Sequence, residues 1–271
     1  MIYKEIQPSE ILSKFIKCFW ILECNEKKSE FTRERILPDG CMELIFHYGD
    51  SFELHVNDYS EIQQRSFVYG QITRFIEISP TGKVGIIAVR FFPHGALPFL
   101  HIPINEITDN TVGVPYIFGA AGRELEEKII TAANNLQRID IIQKFLVDRL
   151  KKYLQHDSVI EECLIRIVKS KGNVSVESLS ESLNINSRQL ERKFTSGIGM
   201  SPKVFSRIVR FQNIFKLLQT KRINSLTELA FENGYYDQAH FIKDFKLFSG
   251  ISPSVYFSEE HSLSDYFTYG K

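Results

Sequence analysis

From Asn186 onward the chain nearly repeats itself fifty-one positions later. Phe194 answers to Phe245, Gly199 to Gly250, Ser201-Pro202 to Ser252-Pro253, and Val204 to Val255. Each copy reads as a short apolar helix, a tight turn, a second helix with one polar face, and then Gly-x-Ser-Pro opening a further helix. Two helix-turn-helix units of this kind can set two polar-faced helices into successive major grooves of a duplex without a partner subunit.

In the first copy Ser175–Leu183 is the expected supporting helix, with Val176, Leu179 and Leu183 inward and Ser180 the small residue at the crossing. Asn184 takes the turn, where glycine is usual and asparagine is the next-best tolerator of positive φ. Asn186 is the expected N-cap of a second helix, Ser187–Thr195. Leu190 and Phe194, four apart, face the core, which leaves Arg188, Glu191, Arg192 and Thr195 on the other side. Arginine pairs bidentately with guanine and, like lysine, clamps phosphates.

In the second copy Ser225–Glu232 supports, Gly234 turns, Asp237 caps and Gln238–Phe248 is the reading helix. Phe241 and Phe245 point inward, so Gln238, Ala239, His240 and Lys243 point outward. The supporting helices align at an offset of fifty and the reading helices at fifty-one, so the second turn is one residue longer. Between the copies Pro202, at a first helical position, opens a long helix over Lys203–Leu218. Its expected buried stripe is Val204, Ile208, Phe211, Phe215 and Leu218. One rigid helix joining the units makes their spacing a structural constant.

Net charge is zero over 271 residues, but it is unevenly spread. Residues 158–257 hold fourteen Lys+Arg against nine Asp+Glu, a balance of +5; residues 258–271 stand at −2, which leaves −3 for residues 1–157. A basic carboxyl-terminal domain beside a mildly acidic module fits a reader of nucleic acid joined to something else. The length suits two domains, 1–157 and 158–257, followed by a tail, 258–271. No apolar run approaches twenty residues, and Lys4 and Glu5 precede any apolar stretch, so a cytoplasmic protein without membrane insertion is expected. Cys18, Cys24, Cys41 and Cys163 fit neither a metal-ligand spacing nor a disulfide framework.

Residues 160–257 resemble the tandem helix-turn-helix domain of AraC/XylS-type transcription regulators. The resemblance rests on Asn186-Ser187-Arg188-Gln189-Leu190-Glu191-Arg192-Lys193-Phe194 and on Ala230-Phe231-Glu232-Asn233-Gly234-Tyr235-Tyr236-Asp237-Gln238-Ala239-His240-Phe241. Phe245-Lys246 and Gly250-Ile251-Ser252-Pro253 complete it. It implies binding to adjacent major grooves of duplex DNA, with base contacts at Arg188, Glu191, Arg192, Gln238, His240 and Lys243. Lys193, Lys203, Arg207 and Arg210 are the candidate phosphate contacts. Tyr235, Ala239, Lys243 and Phe257 depart from the residues commonest in the family, and the Ala239 side chain cannot donate a hydrogen bond to a base. Contact with RNA polymerase follows if the protein is an activator.

Residues 1–112 read as β-rich. Arg33–Tyr48 around Pro38-Asp39-Gly40, and Phe75–Ile78 with Val84–Phe92 around Ser79-Pro80-Thr81-Gly82, read as two hairpins. Phe52–Val56 and Phe67–Tyr69 are shorter strands, and the whole reads as a small barrel or sandwich. Leu37–Phe46, Phe91–Ala96 and Ile107–Asp109 resemble an uncharacterised β-rich domain often found ahead of this DNA-binding module. A cupin-like barrel is the shape expected by analogy. The fold class is thus α+β, a β-rich domain followed by an all-α one. Two helices close the first half, Arg123–Leu136 (Leu125, Ile129, Ala132, Leu136) and Ile142–Gln155 led by Asp140. Their apolar stripes either pack on the sheet or form a homodimer contact.

His47, His55, His94 and His101 with Glu43 and Glu53 are the conceivable metal ligands. No His-x-His pair sets two of them on one strand face, so neither a metal nor a cofactor is expected. His94 reads as lying at a helix start. Cys41 has nothing basic beside it in sequence and reads as structural. Phe15, Phe19 and Trp20 read as core, Arg33 and Arg35 as a solvated strand face. Arg90, inside the apolar run Val84–Phe92, must be paired or reach a cavity and is the candidate ligand contact. The expectation is a sequence-specific DNA-binding regulator controlled by a ligand or partner at its first half, a sensor or dimerisation domain. The alternatives are a protein-interaction switch without such a ligand, or an enzyme recruited to DNA by its second half.

Overall fold

The computed structural model describes residues 1–24, 33–56, 59–100, 102–153, 157–220 and 223–258. Ten strands come first: β1 (Ile2–Ile6), β2 (Ile16–Cys24), β3 (Glu34–Ile36), β4 (Glu43–His47), β5 (Phe52–Val56), β6 (Tyr59–Ile62), β7 (Ser66–Tyr69), β8 (Ile76–Pro80), β9 (Val84–Phe91) and β10 (Thr111–Gly113). They form a six-stranded sheet, β1-β2-β9-β4-β7-β10, and a four-stranded sheet, β3-β8-β5-β6. Every pairing is antiparallel.

Strand periodicity explains why β2, β4 and β9 are so apolar. Successive side chains point to opposite faces, and both faces of the larger sheet are covered. Phe19, Ile21, Leu44, Phe46, Ile87, Val89 and Phe91 join one core with the helices that follow. Trp20, Leu22, Ile45, Phe67, Tyr69, Val84, Ile86 and Ala88 join another, between the two sheets. Arg90 has the parity of Val84, Ile86 and Ala88, so it too faces the space between the sheets.

Both expected hairpins are corners instead. β3 lies in the smaller sheet and β4 in the larger, so the Pro38-Asp39-Gly40 turn carries the chain across from one to the other. The Ser79–Gly82 turn does the same between β8 and β9. Turn chemistry marks a reversal but does not say which sheet receives the next strand. His94 lies in a run of turns, not at a helix start.

Three helices follow: α1 (Val114–Phe118), α2 (Ala120–Thr131) and α3 (Asn135–Tyr153). The expected helix Arg123–Leu136 is broken, because Asn134 Oδ1 accepts from Gln137 N–H at 3.0 Å and Gln137 Oε1 accepts from Ala133 N–H at 2.9 Å. This reciprocal cap starts a new helix. Leu136 is exposed as a result. Asp140 is not a cap but lies within α3, paired with Lys144 one turn on. Leu125, Ile129, Ile139, Ile142 and Leu146 bury the α2–α3 pair in the same core as the larger sheet. The expected end of that helix, Leu154–Gln155, lies outside the described residues, as do His101 and the tail from residue 259.

The remaining helices are α4 (Ser158–Lys169), α5 (Val176–Ser182), α6 (Ser187–Ile198), α7 (Pro202–Thr220), α8 (Leu226–Glu232), α9 (Gln238–Ser249) and α10 (Pro253–Tyr256). Both units of the repeat are capped alike. Ser175 and Ser225 accept from the backbone of Ser178 and Glu228, and Asn186 and Asp237 accept from Gln189 and His240. Asn184 (φ 51°) and Gly234 (φ 80°) make the two left-handed turns. The cap positions reproduce the offsets of fifty and fifty-one, and the extra residue of the second turn leaves Tyr235 buried and Tyr236 exposed. The connecting helix α7 is buried on more than one stripe: Phe205, Ile214 and Leu217 join Ile208, Phe211 and Phe215, whereas Val204 and Leu218 are only half-buried. Phe211 packs on Phe215, Phe245 and Phe248 with ring centroids 5.2–5.3 Å apart.

Candidate nucleic-acid interface and inter-sheet cavity

The reading helices present different faces to the core and to solvent. In α6, Leu190 and Phe194 are fully buried, while Arg188, Glu191 and Arg192 are exposed. These three line an open cleft along the helix whose far wall includes Asn105. In α9, Phe241 and Phe245 are fully buried. Ala239, His240 and Lys243 are exposed, and Gln238 is half-buried with its Oε1 accepting from Thr227 at 2.7 Å. His240 sits edge-on to Tyr235, its Nε2 3.8 Å from Asp244 Oδ1.

The four candidate phosphate contacts separate. Lys203 is exposed. Lys193 pairs with Asp157, the N-cap of α4, at 2.8 Å. Arg207 grips the buried Asp244 with both ends of its guanidinium, Nη2 to Oδ1 at 2.7 Å and Nε to Oδ2 at 3.3 Å. Arg210 donates to the Gly172 carbonyl at 2.8 Å and stacks over Tyr235. Arg207 and Arg210 therefore tie α7 to its neighbours within the chain, because a buried carboxylate needs a paired cation and a turn carbonyl needs a donor.

The first half of the chain touches both units at equivalent places. Gly199 and Gly250, related by the repeat, are the left-handed C-caps of α6 and α9. Thr108 Oγ1 donates to the Gly199 carbonyl at 2.6 Å, and a Cβ on Gly250 would lie 2.5 Å from the Phe75 ring. A third contact is the β3–β4 corner. Leu37 belongs to the core of the helical half, Gln212 Nε2 of α7 donates to the Pro38 carbonyl at 2.7 Å, and a Cβ on Gly40 would lie 2.7 Å from the Phe205 ring. Nothing in local sequence announced these contacts, since each joins residues far apart in the chain.

The other side of the same corner lines a cavity of about 90 Å³ between the two sheets. Leu37, Asp39 and Cys41 come from the corner, and Glu43, Ile45 and His47 from the inward parity of β4. Trp20, Phe52, Ile78, Ile86 and Arg90 are among the other lining residues. Arg90 is both paired and at the cavity: Nη2 donates to Asp39 Oδ2 and Nη1 to Glu43 Oε1 at 3.1 Å. Glu43 Oε1 also accepts from Trp20 Nε1 at 3.1 Å. Burial opposes charge throughout this cluster. It is the largest influence on both carboxyls and leaves Glu43 above the usual carboxylate range, whereas at Asp39 the Arg90 charge, hydrogen bonding from Cys41 and the charge of Lys17 together outweigh it and hold the carboxyl below that range. Burial, followed by the charge of Asp39, pushes the Cys41 thiol up to about 12, so this cysteine is a weak nucleophile even with Arg90 close by.

Burial lowers His47 to about 4, so the imidazole is neutral at physiological pH. Its Nε2 meets Gln63 Oε1 at 3.2 Å, and its Nδ1 is buried with no hydrogen-bond partner among the described residues. His55 instead pairs with Ser79 at 2.8 Å and His94 lies 3.8 Å from Glu161. The described residues contain no cluster of three or more His, Cys, Asp or Glu able to hold a metal. Phe19 and Trp20 are core, as expected, with Trp20 also lining the cavity, and Phe15 is partly buried against the core that holds Phe19. Arg35 is not a solvated strand residue: it pairs with Glu77 at 2.8 Å and stacks over Phe75. No helix among the described residues is long and apolar enough to cross a membrane.

Two capped reading helices on one connecting helix, docked on a sheet domain, define a two-domain helix-turn-helix protein. Residues 179–259 match the family described as a helix-turn-helix domain, and residues 4–113 match a domain of unknown function (DUF6597). The chain is 29% identical over 160 residues to an uncharacterized HTH-type transcriptional regulator of Haemophilus influenzae, covering 59% of this chain and 51% of that protein. It is 32% identical over 93 residues to the HTH-type transcriptional regulator MtrA of Neisseria gonorrhoeae, covering 34% and 31%. ToxT from Vibrio cholerae aligns at 14% identity and a TM-score of 0.47, covering 89% of this chain and 98% of that structure. The chain spans about half the length, or less, of the curated relatives it matches. Its second half thus carries a helix-turn-helix domain of the AraC type and its first half a DUF6597 domain.

Proposed function

We propose that the chain is a sequence-specific, DNA-binding transcription regulator whose state is set by what occupies the inter-sheet cavity. Residues 158–257 form the DNA-reading domain and residues 1–157 the sensing domain. In this reading the exposed amino-terminal halves of α6 and α9 enter successive major grooves. Arg188, Glu191 and Arg192 meet bases in one groove, Gln238, His240 and Lys243 in the next, and Lys203 lies on the phosphates. Arg90 helps to form the effector site as the partner of Asp39 and Glu43.

The observation that carries the reading is the β3–β4 corner. Its inner side lines the cavity at Leu37, Asp39 and Cys41, and its outer side holds α7 through Pro38 and Gly40. A ligand that moves Asp39 therefore acts on the helix that sets the spacing of the reading units. Only a ligand that binds the two arrangements differently can shift their populations. The test is duplex selection from a random pool with the full chain, followed by titration at several salt concentrations. Selected sites with two half-sites about 10 bp apart, and an affinity that falls steeply with salt, are expected. No enrichment at low salt would overturn the reading.

A further inference from the structure

We propose that the inter-sheet cavity takes a small apolar ligand bearing a protonated primary amine, with its nitrogen seated against Glu43 and Asp39. This rests on the reading of the cavity as an effector site and adds the ligand's chemistry. Two carboxylates share one guanidinium here, with one further donor each, the Cys41 N–H to Asp39 Oδ1 at 3.0 Å and Trp20 Nε1 to Glu43 Oε1, so negative charge and lone pairs are still in excess. Arg90 already donates to both carboxylates, and its side chain is 6% exposed against 17% for Asp39 and 20% for Glu43. The open part of the polar cluster is thus carboxylate, not guanidinium. An anionic ligand would meet like charge, whereas an ammonium group supplies the positive charge and the donors the cluster lacks.

A second observation points the same way. His47, 1% exposed, lines the same cavity and has an unpartnered Nδ1. With Nε2–H donating to Gln63 Oε1, that Nδ1 is one more acceptor awaiting a donor. The remaining wall suits the body of such a ligand. Ile45, Ile78 and Ile86 offer apolar surface, and the rings of Trp20, Phe52 and Tyr69 favour a cation near their faces. Volume limits the size. A dry cavity of roughly 150 Å³ accepts benzene, so about 90 Å³ takes only a very short aliphatic amine unchanged, and a branched five-carbon amine enters by displacing a wall. The corner Leu37–Cys41 is the wall that also contacts the helical half.

Trp20 is the only tryptophan in the chain and lies on the cavity wall, so its emission reports occupancy directly. The experiment titrates the full chain at fixed pH and ionic strength with three probes of one skeleton: isoamylamine hydrochloride, isoamyl alcohol and sodium isovalerate. Melting temperature is followed in parallel. The expected result is a saturable Trp20 change and thermal stabilisation with the amine, at least tenfold tighter than with the alcohol, and no saturation with isovalerate. Glu43→Gln, which keeps an acceptor for Trp20 and Arg90, should weaken the amine at least tenfold and leave the alcohol within about twofold. If isovalerate or the alcohol binds better than the amine, or Glu43→Gln leaves amine binding unchanged, the ligand assignment is overturned while the cavity stands as a binding site. If no probe alters Trp20 emission or melting, the ligand assignment and the effector reading fall together.

Discussion

Arg207 offers the sharpest separation between a residue that touches DNA and one that holds the reader together. Its guanidinium spans both oxygens of Asp244, whose side chain is 2% exposed while that of Arg207 is 28% exposed. The pair joins α7 to α9 and so fixes the second reading helix on the connector. Arg207→Ala strands a buried carboxylate, for which the cost is about 3–5 kcal/mol. Arg207 is partly in water, so the lower end, about 3 kcal/mol, applies. At roughly 2–4 °C per kcal/mol for a chain of this size, the melting temperature should fall by roughly 6–12 °C. Asp244→Asn removes the charge, keeps a hydrogen bond and frees Arg207 to turn toward solvent, so its cost should be nearer 1 kcal/mol. The asymmetry, Arg207→Ala well below Asp244→Asn, is the signature of a structural clamp. Calorimetry of both variants measures it, and salt titrations of DNA binding run beside it. If Arg207→Ala melts within about 2 °C of the wild type while the salt slope drops by about one, Arg207 is a phosphate contact and the clamp argument is wrong.

Arg188→Ala and Arg192→Ala should leave melting unchanged, and each variant that removes a guanine contact should cost about 1–3 kcal/mol and relax selection at one position. Two unchanged selection profiles from folded variants would take α6 out of the groove. Phe194→Ala, by contrast, opens a fully buried site and should cost roughly 3–5 kcal/mol with loss of the first unit, visible in melting before any DNA is added. Gly40→Ala combines a φ of +78° with a Cβ 2.7 Å from the Phe205 ring; a loss of roughly 1–3 kcal/mol and faster proteolysis between the halves are expected. For His47 the folded value of about 4 lies below an unfolded value of about 6.5. The neutral-state preference is therefore fully present above pH 6.5 and is lost as pH falls through 4, about 3 kcal/mol in all. His47→Gln should flatten that part of the stability-against-pH curve, and an unchanged slope would place the titration elsewhere.

The helical half was legible because its information is local. Caps at Ser175, Asn186, Ser225 and Asp237, positive φ at Asn184 and Gly234, and apolar pairs four apart each constrain one short segment. The sheet domain was less so. Pro38-Asp39-Gly40 and Ser79-Pro80-Thr81-Gly82 announce reversals correctly, but a hairpin and a sheet-to-sheet corner use the same turn residues. The break before Asn135 was hidden by helix-like spacing on both sides, and Asn134 with Gln137 was the signal that could have found it. The cavity was half-visible: Arg90 stood out as a charge in an apolar strand, yet its partners come from the corner and β4, about fifty residues away. Strand parity would have added Glu43, Ile45 and His47 once β4 was known to face inward.

The same difference in range explains how two units with so much local information could still be governed from outside. α6 and α9 are specified almost entirely by their own segments, so each unit can keep its structure while its placement changes. Placement depends on contacts no local pattern encodes: Thr108 at Gly199, Phe75 at Gly250, and the corner against Phe205 and Gln212. Those contacts fall at the carboxyl-terminal ends of the reading helices and on their connector, away from the amino-terminal residues proposed to meet bases. A shift at the corner would therefore alter the angle between two intact readers without altering what either one reads. Under the proposed function, an effector would change affinity for the paired site, through the fit of two half-sites at a fixed spacing, and would leave the base preference within each half-site unchanged.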